Sequence, residues 1–363
     1  MTIISRYLAR EALSSWLGVT LVLLLIICSH RFARILGEAA AGKLPGGVVF
    51  ELLMYTSVGF LTVLIPVGFF LGLLMTFGRL YRDSEMAALN ACGVGPKDLY
   101  RPVMALAVLV AVLVGWVTLT AAPWAADQAL QVRRTAEKEA ELGMFESGRF
   151  KSARGGQAVF YAERVDEQGR LHGLFLSQRG EDEQALVRAK RGVQRVNPET
   201  GQRLLVLEEG VRYDGKPGRA DFRVLHFAEH GVEITPSAPD LTTTKREVVP
   251  TAALAGSEDP LDVAELQWRL SAPLMALVLA VIAVPLSRTR PREGRYGRVV
   301  LGVLLYVAYS NLLGVARLAL EREQIPAVIG LWPVHILFLL GGLALLAHNN
   351  GWRHTFGLQG ARA

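Results

Sequence analysis

The chain has 363 residues, of which 51% are hydrophobic and 20% charged, and its mean hydropathy is +0.31. A soluble domain carries about 25% charged residues, so this composition favours a membrane protein. Two cysteines, Cys28 and Cys92, exclude a disulfide scaffold and a cysteine-rich zinc site. The segment 127–269 carries 21 basic and 24 acidic residues, whereas the rest carries 18 and 9. The positive excess therefore flanks the apolar parts, which is typical of a membrane surface rather than a nucleic-acid partner.

Six apolar runs predict six transmembrane helices. Runs without Asp, Glu, Lys or Arg lie at 12–30, 52–78, 102–126, 270–287, 299–316 and 324–352. A helix needs about 20 apolar residues to cross ~30 Å of hydrocarbon, and each run reaches or approaches that length. Arg6 and Arg10 precede the first run, but no clear small-residue cleavage site follows it. We therefore expect an uncleaved first helix rather than a signal peptide.

Basic residues in the short loops predict the orientation. With the N-terminus inside, thirteen of them lie on the cytoplasmic side and five on the opposite side. Since Lys and Arg accumulate on the cytoplasmic side, both termini are expected there. The segment 127–269 then lies outside.

This outer segment has a different pattern, with turn-forming residues between short, partly alternating runs. Segments 158–165, 170–178, 184–196, 203–213 and 221–234 are predicted to be strands of a β-sandwich or open barrel. Residues 128–142 are expected to extend the third span as a helix, and residues 235–262 to form a linker. The chain is thus predicted to divide into 1–126 with the first three spans, 127–262 with the β domain, and 263–363 with the last three spans and a tail.

Motifs of enzymatic chemistry are missing from the sequence. It contains no phosphate-binding loop, no nucleophile elbow and no H-E-x-x-H pair. His226 and His230 are four residues apart, but the apolar residues around them predict a strand, which disfavours a shared metal. We therefore expect neither an enzyme nor a cofactor bound by this chain.

The loop at 79–93 is predicted to contain a short helix between two spans. Ser84 is expected to cap its start and Gly93 to end it. Its small side chains, Ala87, Ala88 and Ala91, suit close approach to another protein. A position at the lipid interface is the alternative.

Three other groups of residues each allow a structural and a functional interpretation. The basic run Arg288–Arg298 either sets the topology on anionic headgroups or contacts a partner. Cations on the outer side either pair with Glu38, Glu321 and Glu323 or meet phosphate from the outer leaflet as bidentate forks; they are Arg31, Arg34, Arg317 and Arg322. His335 is either a neutral imidazole bonded to a carbonyl that Pro333 has freed or a functional group at membrane depth.

Several short motifs, in their order and spacing, resemble the lipopolysaccharide export permease family LptF/LptG. They are Ile4–Glu11, Arg34–Gly37, Ser84-Glu85 with Ala91-Cys92-Gly93, Glu265–Arg269 and Pro291–Arg295. The resemblance covers essentially the whole chain, and the opening residues and the Ala-Cys-Gly are more similar to the LptF branch.

The resemblance implies six transmembrane helices with a periplasmic β-jellyroll inserted between the third and fourth. It also implies one half of an ABC transporter in the bacterial inner membrane. The expected partners are the second permease LptG, a dimer of the ATPase LptB, the single-span protein LptC and, indirectly, the bridge protein LptA. Lipopolysaccharide would be extracted from the inner membrane and passed towards the outer membrane. ATP and Mg²⁺ would be bound by the ATPase.

Roles for single residues follow from the same resemblance. Glu85 matches the glutamate of the family's coupling helix, so the ATPase-coupling residues are expected to be Ser84, Glu85, Met86, Leu89, Cys92 and Gly93. Arg31 and Arg34 match basic positions that face the lipopolysaccharide headgroup, and Arg317 lies at a comparable position on the fifth span. Arg322 and His335 match no motif. The first and fifth spans of the two permeases would form lateral gates.

Other functions remain as alternatives. A membrane sensor or scaffold with a ligand-binding outer domain would normally carry a cytoplasmic output domain, and the longest inside segments here have only about 20 residues. A lipoprotein-release permease usually has four spans with its outer domain after the first. An intramembrane enzyme would need paired carboxylates or a nucleophile within the spans.

Overall fold

The computed structural model of the protein describes residues 3–40, 44–142, 148, 150–153, 158–166, 170–179, 184–196, 203–215, 223–233, 246–288 and 297–350. The chain divides into two compact units. The first is helical and comprises Met1–Ala40, Gly46–Arg133 and Thr244–Ala363. The second comprises Ala41–Pro45 and Arg134–Thr243 and contains the strands.

The described helices belong to the first unit, except for residues 134–142 at the end of α5, which belong to the second. The helices are α1 (Ile3–Ala40), α2 (Val49–Arg82), α3 (Glu85–Ala91), α4 (Pro96–Trp116), α5 (Ala122–Leu142), α6 (Thr251–Leu254), α7 (Pro260–Leu286), α8 (Gly297–Glu321) and α9 (Trp332–Asn350). A 3-10 turn precedes α2, and a π turn at Val117–Ala121 joins α4 to α5. The predicted helix at 128–142 is confirmed as part of α5.

Five helical stretches in the described part of the chain are long and apolar enough to cross a membrane. They are Ile3–Ala40, Gly46–Arg82, Asp98–Ala136, Pro260–Leu286 and Gly297–Glu321. The apolar part of α9, Trp332–His348, is shorter. The sixth charge-free run begins at residue 324, but its helix begins only at Trp332, because residues 324–331 form turns around Pro326 and Gly330.

Close packing of α1 on α2 depends on two glycines one helical turn apart. A Cβ at Gly68 would collide with Thr20, and one at Gly72 would lie 2.7 Å from the backbone of Trp16. Small residues spaced by four let helix backbones approach closely, which is the usual device in membranes. The aromatic residues of α2 next to them, Phe69 and Phe70, are fully buried in the core.

The second unit contains one antiparallel sheet whose strands are neighbours in sequence order. They are β1 (Phe150–Ala153), β2 (Ala158–Val165), β3 (Leu171–Arg179), β4 (Gln184–Val196), β5 (Arg203–Gly215) and β6 (Arg223–Glu233). The five predicted strands are confirmed within two residues at most ends, while β1 was missed because only four residues pair there. The sequence pattern predicted a β-sandwich or open barrel. The described residues form this single sheet.

At one row of residues across the sheet, the alternation of buried and exposed side chains shifts by one position along each strand. On β3, Leu174 is buried on one side of Gly173 and Leu171 on the other, three positions apart rather than two. On β4, Ala189 and Gly192 show the same step. Gly173 has φ +65°, and a Cβ there would collide with a side chain of β2. The bend keeps one apolar interior continuous along strands that would otherwise turn their side chains outward.

The same row crosses β5 at Glu209, a non-glycine residue with φ +52°. Its carboxylate accepts hydrogen bonds from Lys190 at 2.9 Å and from Arg191 at 3.0 Å. The Lys190 ammonium, together with Arg191, lowers the pKa of Glu209. These charge-assisted bonds offset part of the cost of the left-handed backbone.

Candidate functional site

The predicted helix in the loop at 79–93 is confirmed as α3, seven residues from Glu85 to Ala91. Ser84 precedes it with φ 60°, and its hydroxyl caps nothing, so the predicted side-chain cap was wrong. A left-handed residue at this position turns the chain sharply out of α2 instead. Gly93 ends the helix as predicted, with φ 81°, and Gly93 and Val94 donate to the carbonyls of Asn90 and Leu89. This pair of bonds is a Schellman motif.

Glu85 points towards other helices of its own chain. Its carboxylate accepts a hydrogen bond from the Tyr7 hydroxyl of α1 at 2.8 Å and lies 3.6 Å from Arg79 of α2. Arg79 also donates to Glu11 of α1 at 2.9 Å. We call Tyr7, Glu11, Arg79 and Glu85 the Glu85 cluster. The cluster connects α3 to α2 and to the N-terminal part of α1.

The other predicted coupling residues divide between an inner and an outer face of α3. Met86 is buried in the helical core, and Leu89 packs against it. Exposed residues form the opposite face; they are Ala87, Ala88, Ala91 and Cys92, with Ser84 and Gly93 at the two ends. The inner face fixes the helix, and the outer face, with its small side chains, allows a partner's surface to approach.

A pocket adjoins α3 on the side of α4 and α7. Its lining includes Asn90 of α3, Tyr100 of α4 and Arg288, which follows α7. Arg288 is the first residue of the basic run that the sequence singled out, so the structure brings this end of the run to α3. Residues 289–296 of that run, including the motif Pro291–Arg295, lie outside the described residues.

Arg31 and Arg34, the predicted anion-binding residues, lie near the C-terminal end of α1. Arg34 is 3.7 Å from Glu38, and Glu38 also accepts a hydrogen bond from Arg133 of α5 at 2.7 Å. The Arg31 guanidinium lies 6.0 Å from the ring centre of Phe60, and its buried Nε has no hydrogen-bond partner among the described residues.

Arg133 was missed in the sequence, because it belongs to a helix expected only to extend the third span. The pairing of Arg34 with Glu38 that was considered as an alternative is present. However, three guanidinium groups, those of Arg31, Arg34 and Arg133, lie within electrostatic range of this single carboxylate. The group therefore keeps a positive excess, which suits an anionic ligand. We call these four residues the Arg31 group.

Arg317 is held differently from Arg31. It donates to Glu321 of its own helix at 2.7 Å and to Glu265 of α7 at 2.9 Å, and it lies 5.1 Å from the ring centre of Trp268. Two carboxylates thus meet one guanidinium, so internal pairing accounts for this cation. Arg322, just beyond α8, is exposed.

Arg269 is a residue whose importance the sequence did not reveal, although it ends the motif Glu265–Arg269. Its side chain and that of Glu265 are each only 5% exposed, and they pair at 2.9 Å. The remaining four N–H groups of Arg269 reach the carbonyls of Arg246, Glu247 and Val249 and the hydroxyl of Thr251. All five donors of the guanidinium are used. Arg269 therefore ties the segment 246–251 to α7.

His335 is buried, and its predicted bond to a freed carbonyl was wrong. The imidazole Nδ1 lies 2.6 Å from the Tyr309 hydroxyl of α8, and Nε2 lies 3.0 Å from the Ser271 hydroxyl of α7. Two hydroxyls from neighbouring helices take the place of the carbonyl, because α9 packs its first turn against both.

His226 and His230 are on β6, as predicted. His226 pairs with Val211 and His230 with Leu207, on either side of the row where the buried face changes, so they point to opposite faces. No cluster of three His, Cys, Asp or Glu able to hold a metal exists within the residues that the structure describes.

Comparison with known proteins agrees with this organisation. Curated permease proteins named LptF of the lipopolysaccharide export system, from Escherichia coli K12, Escherichia coli O157:H7 and Shigella flexneri, are each 29% identical over 346 residues, covering 94% of this chain and 94% of theirs. Their names are those of a transporter component rather than an enzyme. A family model described as lipopolysaccharide export system permease LptF/LptG matches residues 6–348. The chain therefore belongs to the LptF/LptG family of lipopolysaccharide export permeases.

Proposed function

We propose that this chain is a permease subunit of an ABC transporter that extracts lipopolysaccharide from the bacterial inner membrane and passes it towards the outer membrane. The observation that carries the proposal is the family match over residues 6–348, together with a β unit inserted between two sets of apolar helices. In this arrangement six spans, the sixth formed by α9, place both termini in the cytoplasm. The β unit then lies in the periplasm and folds as a jellyroll.

The energy source in this proposal is a separate ATPase dimer, LptB, that binds ATP and Mg²⁺ and docks on α3. The exposed small residues of α3 form the docking face, while Met86 and Leu89 anchor the helix from behind. The Glu85 cluster then transmits the motion of α3 to α1 through the Tyr7–Glu85 and Glu11–Arg79 contacts. Because the side chains of Arg79, Glu11 and Glu85 are about one-third exposed, each of these bonds resists separation by about 0.2–1 kcal/mol.

The Arg31 group is the proposed contact for the phosphorylated headgroup of the lipid. Arginine binds phosphate as a bidentate fork, and the buried Arg31 Nε has no acceptor within the part of the chain that the structure describes. Arg133 adds a third guanidinium from α5. Arg317 contributes less to this site, because Glu265 and Glu321 already accept from it.

The β unit is the proposed route for the acyl chains. Its interior is lined by apolar residues of four strands, among them Phe160, Leu174, Val187 and Leu205. Keeping an acyl chain from water there stabilises it by about 0.8 kcal/mol per CH₂. The continuous inner face across the bend at Gly173 suits a linear chain.

The remaining partners in the proposal are a second permease, LptG, and the single-span protein LptC, with LptA as the acceptor. The test is reconstitution of the chain with LptG, LptB and LptC in liposomes containing lipopolysaccharide. ATP should drive transfer of the lipid to added LptA, and omission of this chain should abolish the transfer. A chain that is recovered without ATPase or lipid, and that supports no transfer, would overturn the proposal in favour of a sensor or scaffold.

A further inference from the structure

A buried network of hydroxyl and imidazole groups joins α8 to the two helices beside it. Tyr309 of α8 is 0% exposed, and His335 of α9 is 6% exposed. The Tyr309 ring also stacks on Phe338 of α9 at 4.1 Å between ring centres. Since His335 contacts Ser271 of α7 with its other nitrogen, one side chain connects all three helices.

The direction of each bond in this network follows from the Ser271 hydroxyl. Ser271 donates to the carbonyl of Gln267 at 2.8 Å, so it accepts from His335 Nε2. Nδ1 is then the acceptor for the Tyr309 hydroxyl. The Gln267 side chain donates to Ala327 and accepts from Leu331, in the turns between α8 and α9. Every polar group in the chain of bonds has a partner, and such networks hold one arrangement of the groups around them.

A second polar contact joins α8 to α7, nearer the C-terminal end of α8. Arg317 donates to Glu265, and Glu265 is fixed in turn by Arg269. Trp268 of α7 lies beside the Arg317 guanidinium. Helix α8 is thus attached to α7 at two levels, eight residues apart on α8.

The opposite face of α8 has a different character. Most of its side chains are apolar and exposed, as in Leu304, Val307, Val315 and Leu318. The polar residue among them, Asn311, donates its amide hydrogen to the Val307 carbonyl of its own helix at 2.8 Å. A surface of this kind can separate from a neighbour or from lipid without breaking a hydrogen bond, whereas the α7 face would lose several bonds in a medium that does not replace them.

We propose that α7, α8 and α9 move as one body during transport, so that any lateral opening beside α8 takes place along its apolar face and never between α8 and α7. His335 is the central positioning residue of this body. The inference rests on the proposed transport function for its nucleotide-driven motion, but the tie itself is a property of the chain.

The test uses distances between spin labels in the full transporter complex in lipid nanodiscs, with Cys28 and Cys92 replaced by Ser. One pair, Leu261→Cys with Leu318→Cys, joins exposed positions of α7 and α8. A reference pair, Leu36→Cys with Leu318→Cys, joins α1 to α8. The α7–α8 distance should be the same without nucleotide and with trapped ATP, while the α1–α8 distance shifts.

Removing the polar ties gives the second arm of the experiment, which is carried out in an Arg317→Met background so that the bond to Glu265 is absent throughout. Tyr309→Phe combined with Ser271→Ala removes both bonds to His335 and keeps the ring stacked on Phe338. The α7–α8 distribution should then broaden, whereas the control Ser310→Ala, whose hydroxyl bonds only within α8, should leave it unchanged. A nucleotide-dependent shift of the α7–α8 pair in the unmodified network, or no broadening in the double variant, would overturn the inference. The α1–α8 distance could instead be the same with and without nucleotide while the α7–α8 distribution still broadens in the double variant. That result would count against the proposed function alone.

Discussion

Thr251 donates its hydroxyl hydrogen to the main-chain carbonyl of Leu119 at 2.6 Å, across 132 residues of sequence. The reason lies four residues after Leu119, where Pro123 has no N–H to complete the helical bond. The helix widens there into the π turn Val117–Ala121, and the freed carbonyl takes its hydrogen bond from a different part of the chain. Thr251 also accepts a hydrogen bond from Arg269 at 2.8 Å, so it links the π turn between α4 and α5 to α7.

Replacing Thr251 by Val should therefore destabilise the helical unit by about 1–3 kcal/mol, because a partly buried carbonyl loses its donor. Thermal unfolding of the detergent-solubilised chain would measure this as a lower midpoint. Thr251→Ser keeps the hydroxyl, so its unfolding midpoint should be close to that of the original protein. The control is Thr62→Val, whose hydroxyl bonds only to Gly59 in its own helix at an exposed position. Equal midpoints for Thr251→Val and Thr251→Ser would contradict the argument.

A second prediction concerns the buried pair of Glu265 and Arg269. Arg269→Met should cost about 3–5 kcal/mol, because it leaves four carbonyl and hydroxyl acceptors without their donor and leaves Arg317 as the one remaining cation beside the buried Glu265 carboxylate. The exposed pair of Arg82 and Asp83 offers a matched control, since Arg82→Met should cost less than about 1 kcal/mol. Both changes can be followed by thermal unfolding in detergent.

A double variant tests whether the charge or the volume matters at that position. Arg269→Met with Glu265→Met removes both buried charges and should regain part of the lost stability. If the double variant were as unstable as the sum of the two single ones, the pair would have no electrostatic coupling and the network would act only by packing.

The helices and strands could be predicted from the sequence, whereas the contacts of Arg269 and Arg133 could not. Charge-free runs and turn residues placed the helices and five strands, because those patterns depend on neighbours along the chain. The sequence contained Arg269 within a recognisable motif but not its partners, which lie up to 23 residues away along an irregular segment. Arg133 was missed for the same reason, since only the folded chain brings it to Glu38.

The strands explain a subtler failure. Their alternation was only partial, and the reason is the row at Gly173 and Glu209, where each strand moves its buried face by one residue. Ser84 shows the same limit at α3, because a left-handed residue before a helix cannot be told from a capping serine by its letter alone. At Glu209 the positive φ accompanies hydrogen bonds from Lys190 and Arg191 of the neighbouring strand, which the sequence of β5 alone does not reveal.

A third prediction separates docking on α3 from coupling through it. Ala88→Arg adds a long charged side chain to the exposed face and should release the ATPase, with the chain still folded. Glu85→Gln leaves that face intact but weakens the bond to Tyr7 and the pairing with Arg79. It should keep the ATPase bound and lower ATP-driven lipid transfer about tenfold, the factor that 1.4 kcal/mol gives.

Co-purification of the ATPase and transfer of lipid to an acceptor in liposomes measure the two effects independently. Tyr7→Phe should reproduce the Glu85→Gln phenotype, because it removes the same hydrogen bond from the other side. If Glu85→Gln lost the ATPase as readily as Ala88→Arg, Glu85 would be part of the docking face rather than a link to α1.

The last prediction concerns the pH dependence of the β unit through His230. Burial, and then the nearby Arg212, lower the pKa of His230 below its ordinary value of 6.5, while Asp214 acts in the opposite sense. Arg212 Nη1 lies 3.3 Å from His230 Nε2, which therefore accepts a hydrogen bond as a neutral ring. Because the folded pKa lies below the unfolded one, the contribution of His230 to stability is fully present above pH 6.5 and is lost as the pH falls below that value.

Nuclear magnetic resonance of the ¹³C-labelled histidines of the full chain in detergent can follow this titration, with His230→Gln identifying the signal. The midpoint should lie below 6.5. Arg212→Gln should move it upwards, since one repulsive charge is removed, and Asp214→Asn should move it downwards. A midpoint for His230 at or above 6.5 would show that neither burial nor Arg212 controls the ring, and the inner-face position assigned to it on β6 would then be wrong.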